Sequence, residues 1–348
     1  MEQHSELPQI ETGYEGYNPL TGEISQTLTN VRVIIGLITK AQEKGERGYI
    51  DYVKKLNSHH LLKAVSWISK IYPAILDRLN LNFTELEGYP ERLEILNKVY
   101  TACRILDDAV DGDSPRKLTA DETEAYATGA VDRFESESFD PRNAVDAFLE
   151  DALDKCNQIG LDIKQQILCV LKSVQFDAKR RSEFLRTGIP WFYSEEELQI
   201  HYHQMDIQGT VGAMLELTGE GDSDPNQLLI TPLAKSCRYF YDVRDLVKEV
   251  KQGLVNISKE EAKRFGIDIH SLYIWANIDG DYGTAPEGVK AWISEKIREG
   301  QKLLKKHQEQ MQEASFNGTT NEVLDKSFVS QCEPFYAMMI PLVRRWGY

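Results

Sequence analysis

The sequence lacks the features that mark several large classes of protein. No apolar run approaches the roughly 18 residues that a membrane-spanning helix needs, so no transmembrane segment is predicted. The five cysteines form no CxxC pair and show no Cys/His ligand spacing, which favours reduced, mostly buried thiols over a zinc site. Forty basic residues stand against 55 acidic ones, and the net charge of −15 disfavours nucleic acid as a partner. We therefore expect a soluble, cytoplasmic protein.

Several catalytic motifs are absent as well. The chain has no P-loop, no GxGxxG motif after a strand and no Ser-His-Asp arrangement. His201 and His203 lie two residues apart, so on a helix they point away from each other and make a poor metal pair. An NTPase, a dinucleotide-fold enzyme and a triad hydrolase are therefore not expected.

The apolar residues of the chain recur with a helical period. Residues 1–27 are polar and are predicted to form an irregular N-terminal extension, whereas 28–348 show the helical period with no convincing strand. The breaks between helices are short, so one all-α domain is expected. The apolar segments 31–38 and 335–343 are too short to span a bilayer and are interpreted as core helices, with peripheral membrane contact left open.

The most informative segment is an apolar helical stretch that ends in three carboxylates. Asp107 and Asp111 are one helical turn apart, and Asp108 shares a face with Asp111. Carboxylates gathered beside an apolar surface repel each other and lose hydration unless a divalent cation neutralises them, and oxygen ligands suit magnesium. The alternative is a solvated helix end, since acidic triplets are common.

A second acidic face lies far along the chain. Asp242, Asp245 and Glu249 are spaced i, i+3, i+7 and therefore share one helical face, with Asp245 138 residues after Asp107. Two separate acidic faces suggest opposite walls of one magnesium site that holds a diphosphate between them. A solvated face, with Lys248 pairing Asp245, is the alternative.

The two acidic segments and the sequence around them resemble those of the squalene and phytoene synthases, a family within the all-helical class I isoprenoid synthases. The resemblance rests on blocks at 90–111, 176–181, 197–214 and 244–267, and it extends over roughly residues 55–275. Cys103-Arg104 followed by the first aspartates, and the Lys-Glu-Glu-Ala-Lys-Arg-Phe-Gly segment from 259, are its most distinctive parts. It implies a single-domain helical bundle around a central apolar cavity.

The resemblance also implies an activity. Members ionise a prenyl diphosphate with the help of Mg²⁺, for which Mn²⁺ can substitute, and condense it head-to-head with a second one. It assigns Asp107, Asp111, Asp245 and Glu249 to catalysis, and these four with Asp108 and Asp242 to the metal. Whether a reductant such as NADPH completes the reaction stays open, as does the choice between a monomer and a homodimer.

A further set of residues is expected to contact the substrate. Guanidinium forks suit phosphate oxygens, and glycines within a helical pattern allow a kink or a close approach of backbone to a prenyl chain. The alternatives are ion pairs along the helices, solvated arginines and tight helix packing. The residues are Arg104, Asp177, Arg180, Arg181, Gly209, Gly212 and Arg244.

Several positions depart from the family pattern. His203, Asp206, Arg238, Tyr241 and Asn256 stand where the family handles the second substrate and the cation, so the product is expected to differ from plain squalene or phytoene. The stretch 241–249 also resembles the second magnesium motif of class I terpene cyclases. A cyclase acting on one prenyl diphosphate, and a catalytically silent scaffold of the same fold, are therefore the alternative functions.

Overall fold

The computed structural model describes residues 89–113, 117–218 and 221–316, and every regular element among them is helical, with no strand. The all-α prediction is confirmed for this part of the chain. No helix within it is long and apolar enough to cross a membrane. The predictions for 1–27, 31–38 and 335–343 lie outside the described residues.

Ten α-helices follow one another in the described residues, with one π-helical segment and one 3₁₀ turn. The π-helical segment, His203–Val211, joins α5 to α6, and the 3₁₀ turn is Tyr282–Thr284. The α-helices are α1 Tyr89–Asp111, α2 Ala120–Glu135, α3 Ala144–Ile159, α4 Lys164–Thr187, α5 Glu195–Tyr202, α6 Gly212–Thr218, α7 Asp224–Gln252, α8 Lys259–Phe265, α9 Ile269–Ile278 and α10 Glu287–Phe316.

Local sequence signals account for many helix ends. Three of the described helices begin with a capping box, in which a Ser or Thr side chain and a Glu three residues later satisfy each other's backbone N–H groups. The long helix α7 ends at Gly253, whose φ of 83° is left-handed. A Cβ at that position would overlap the Phe184 ring, so glycine is required there by packing as well as by conformation.

The two largest apolar cores among the described residues are formed by different sets of helices. Helices α1 to α4 bury the first core, which includes Ile95, Leu106, Phe134, Leu149 and Leu171. Helices α7 to α10 bury the second, which includes Val250, Leu272, Trp292 and Ile293. Helix α4 packs on α1, on α2 and on the π-helical segment, while α7 packs on that segment and on α10. Polar side chains of α4 and α7 therefore meet between the cores.

Candidate functional site

The acidic end of α1 is tied to an arginine of the same helix. Arg104 places Nη1 2.6 Å from Asp107 Oδ2 and Nη2 2.7 Å from Asp108 Oδ1. Asp108 is almost fully buried, whereas the side chain of Asp107 is 26% exposed. The ion pair that the sequence offered as the alternative role of Arg104 is therefore present, and it brings a cation to the first two aspartates.

Crowded negative charge surrounds these carboxylates. Burial raises the pKa of Asp107 to about 6, with Asp108 and Asp177 adding to the rise and Arg104 opposing it. The pKa of Asp111 is raised well above its usual value by burial, and then by the charges of Asp107 and Asp177. A carboxylate from α4 thus lies in the electrostatic field of the α1 pair, which sequence spacing alone does not predict.

The ends of the two acidic helices meet directly. Asp113, just beyond α1, accepts hydrogen bonds from Lys248 Nζ at 2.8 Å and from Gln252 Nε2 at 3.1 Å, both on α7. Arg181 of α4 donates to the Gln252 carbonyl, and its Nη2 would lie 3.2 Å from a Cβ at Gly112. Three helices therefore bring basic and acidic groups together at one place.

The three acids of α7 differ in their surroundings. Asp242 is fully buried and burial raises its pKa to about 7. The pKa of Glu249 is also raised well above its usual value, by burial first and then by Asp242 and Asp245. Asp245 is partly exposed and pairs with Arg244, whose Nε lies 2.9 Å from its Oδ1. Asp245 is thus the most accessible member of this acidic face.

Arg180 lies at the centre of a buried polar network. It is 2% exposed, and its Nη1 lies 2.9 Å from Asp177 Oδ1 while Nη2 donates to the Val255 carbonyl at 2.7 Å. The aromatic rings of Phe176 and Tyr193 lie about 5.5 Å from its guanidinium carbon. The Asp177–Arg180 pair is therefore buried, unlike the exposed pair that the sequence offered as its alternative.

Tight packing accounts for the two glycines near the π-helical segment. A Cβ at Gly209 would lie 2.5 Å from Val170 Cγ2, and one at Gly212 would lie 2.6 Å from Asp222 Oδ2. Real Cβ atoms do not come so close to other heavy atoms. These contacts favour the helix-packing explanation, while the wider turns of 203–211 supply the local irregularity that π-helices often provide at functional sites.

The departures from the family pattern have distinct environments. Asp206 and Arg238 form a bidentate ion pair, with Nε–Oδ2 at 2.8 Å and Nη2–Oδ1 at 2.6 Å. The Arg238 guanidinium carbon lies 4.8 Å from the centre of the Tyr202 ring, whose buried hydroxyl has no hydrogen-bond partner within the described part of the chain. His203 is exposed. Tyr202 carries no sequence signal, because only the fold brings α5 against α7.

Two pockets open beside this network and share Tyr202 and Tyr239. One, of about 350 Å³, reaches Asn256, and the other, of about 440 Å³, is lined by Ile207 and the Asp206–Arg238 pair. The larger pocket is open to solvent, and its lining combines the apolar side chains of Ile200 and Ile207 with the charged side chains of Lys235 and the Asp206–Arg238 pair.

The donor chemistry of the acidic residues suits magnesium, although their positions do not form a ready-made cage. Within 89–113, 117–218 and 221–316, no three His, Cys, Asp or Glu side chains are arranged to hold a metal ion. The carboxylates nevertheless provide oxygen ligands, and burial raises the pKa of four of them, so a divalent cation would relieve their repulsion. Magnesium also takes ligands from substrate phosphates, so a site completed by a diphosphate is compatible with these positions.

Comparison of the chain with models of protein families, with curated proteins and with solved structures gives no match. Its function is therefore inferred from the geometry and chemistry of the residues described above.

Proposed function

We propose that this chain is a magnesium-dependent prenyltransferase that ionises one prenyl diphosphate and condenses it head-to-head with a second. The observation that supports this most is the meeting of the two acidic helices. Asp113 at the end of α1 is bonded to Lys248 and Gln252 of α7, although 135 and 139 residues separate them in sequence. Facing carboxylates with cations between them are the arrangement that a metal-bound diphosphate needs.

The proposal assigns the metal to both helix faces. Asp107 and Asp111 on α1, with Asp245 and Glu249 on α7, would hold Mg²⁺, while Asp108 and Asp242, which the resemblance also assigns to the metal, are almost fully buried. When bound, the metal neutralises charge that develops on the leaving diphosphate. Asp107, Asp111 and Glu249 suit this task because burial and mutual repulsion raise their pKa values and disfavour their ionised forms in the absence of a cation.

The chain's own cations would bind the phosphate oxygens. Arg104, Arg181 and Lys248 lie around the junction of α1, α4 and α7, and each already contacts a carboxylate or carbonyl there. Guanidinium and ammonium donors form strong charge-assisted hydrogen bonds to phosphate. An incoming diphosphate would therefore replace the intramolecular acceptors of these side chains.

The proposal further includes a single all-α domain with an apolar cavity that keeps water from the prenyl cation. Water would quench an allylic cation, so the reacting end of the prenyl chain must be enclosed. Among the described residues, the candidate space for a prenyl tail is the pocket of about 440 Å³ beside the π-helical segment, where Ile200 and Ile207 supply the apolar surface; a bound prenyl chain would have to close it to water. Contact with a membrane surface would then serve delivery of an apolar substrate.

Incubation with C10, C15 and C20 prenyl diphosphates and Mg²⁺, read out by product mass, tests the activity. EDTA should abolish turnover, and added Mg²⁺ should restore it. Asp245→Asn should lose turnover by orders of magnitude while helicity stays intact, whereas the exposed Asp154→Asn should behave as wild type. Absence of diphosphate release with every substrate would refute the proposal and favour a silent scaffold.

One observation favours a second candidate, a cyclase that acts on a single prenyl diphosphate. The Asp206–Arg238 ion pair fills a place that the resemblance assigns to the second substrate and the cation. A fixed pair of opposite charges there leaves less room for another prenyl chain. Product mass separates the two activities, because a cyclase yields a product with the carbon number of one substrate.

A further inference from the structure

Asn256 makes three polar contacts at the junction of α4 and α7, and it is only 6% exposed. Its Nδ2 donates to Glu249 Oε2 at 2.9 Å and to Asp242 Oδ1 at 3.3 Å. Its Oδ1 accepts a hydrogen bond from Arg180 Nη2 at 2.8 Å. We propose that Asn256 is a positioning residue that fixes the acidic face of α7 relative to the buried arginine of α4.

The chemistry of the contacts requires an amide at this position. Arg180 has only donors, whereas Glu249 Oε2 and Asp242 Oδ1 both act as acceptors toward the Asn256 amide. The residue between them must accept on one side and donate on the other. An aspartate would lose the donor, a lysine would lose the acceptor, and a leucine would leave Arg180 and Glu249 short of one partner each. The side-chain amide satisfies both neighbours at once.

The amide also connects two parts of the proposed site. Asp177 pairs with Arg180, Arg180 donates to Asn256, and Asn256 donates to Glu249, so the contacts run without a break from α4 to α7. Asp177 is the α4 carboxylate that adds to the raised pKa of the α1 aspartates. Asn256 therefore ties the acidic face of α7 to α4, and α4 in turn packs on α1. This inference rests on the proposed function insofar as those helices hold a metal.

The test uses Mn²⁺ and inorganic pyrophosphate as probes, with binding measured by titration calorimetry and by the electron paramagnetic resonance signal of Mn²⁺. We compare Asn256→Leu, which keeps the size but removes all three hydrogen bonds, with Asn277→Leu on an exposed face of α9. Residues that orient metal ligands usually change metal affinity by about 10–100-fold when removed. Asn256→Leu should weaken Mn²⁺ binding in the presence of pyrophosphate by at least ~10-fold, and Asn277→Leu should not. Equal binding by the two variants would overturn the inference.

A second measurement separates this inference from the proposed function. The melting temperatures of Asn256→Leu, Arg180→Met and the double variant are compared, with Asn256→Ala replacing the leucine variant if that one does not fold. Because both single changes remove the same contact, the double variant should lose less than the sum of the two single losses. Additive losses would overturn the inference. If the wild type binds no Mn²⁺ with pyrophosphate, the proposed function fails, while the melting comparison still decides the role of Asn256.

Discussion

Replacing Asp107 by asparagine should make the protein more stable and inactive at the same time. Asparagine has nearly the size of a neutral aspartic acid, so the change removes the charge and little else. Burial and the neighbouring acids raise the pKa of Asp107 from 3.8 to about 6, despite the opposing effect of Arg104. The raised pKa means that the ionised carboxylate is less favourable in the folded chain than in the unfolded one.

The sign of the pH dependence follows from this difference. Between about pH 4 and pH 6 the folded state retains a proton that the unfolded state has released, so stability falls as pH rises, and above about pH 7 the full loss is present. Each unit of difference between the folded and unfolded pKa values corresponds to about 1.4 kcal/mol, so the loss of folding free energy has an upper limit near ~3 kcal/mol. Because the side chain is 26% exposed, water screens part of this energy, and we expect about 1–2 kcal/mol.

Thermal unfolding of wild type and Asp107→Asn should therefore differ by about 1–3 °C near pH 8, with the variant higher, and by much less near pH 4. Mn²⁺ binding with pyrophosphate should be lost in the variant. Asp132→Asn, an equal change of charge on an exposed face of α2, should alter neither property. A variant that melts lower than wild type near pH 8 would show that the carboxylate charge is not unfavourable there. A variant that binds Mn²⁺ as wild type does would exclude Asp107 from the metal site.

Three other changes have definite expected outcomes. Gly209→Ala should lower the free energy of unfolding by about 1–3 kcal/mol in denaturant titrations, because its Cβ would collide with Val170. An unchanged stability would instead favour a glycine that is needed only for contact with a prenyl chain. Gly129→Ala should change the free energy of unfolding by less than about 1 kcal/mol, because the gain in helix propensity is offset by crowding of Arg133, which is held in an ion pair with the buried Asp146. Arg180→Met should cost about 3–5 kcal/mol by leaving a buried carboxylate unpaired, and a smaller loss would show that water reaches it. In NMR titrations His201 should have a pKa well below 6.5, because burial and two nearby arginines disfavour its charged form. Its contribution to stability should therefore fall as pH drops below about 6.5, where the unfolded chain takes up a proton that the folded chain does not. Titration of His201 near 6.5 would contradict this.

The helical character of the described residues and the existence of two acidic faces follow from the sequence. Apolar periodicity predicts helices because a 3.6-residue repeat places every third or fourth side chain on one face. Ser-x-x-Glu and Thr-x-x-Glu patterns set helix starts, since the cap contacts are made within four residues. The spacing of Asp107 and Asp111, and of Asp245 and Glu249, likewise fixes which carboxylates share a face, because both pairs lie within one helix.

The tertiary structure decided what those faces meet. The contacts of Asp113 with Lys248, and of Arg180 with Asn256, join residues 135 and 76 positions apart, and no local periodicity encodes which distant helices pack together. Burial is also a property of the whole fold, so the sequence does not reveal that Arg180 and Asp242 are almost fully enclosed. The raised pKa values of the acids follow from that burial first. Local spacing therefore determined the chemistry that each helix carries, whereas packing between distant helices determined which charges became neighbours and how strongly they interact.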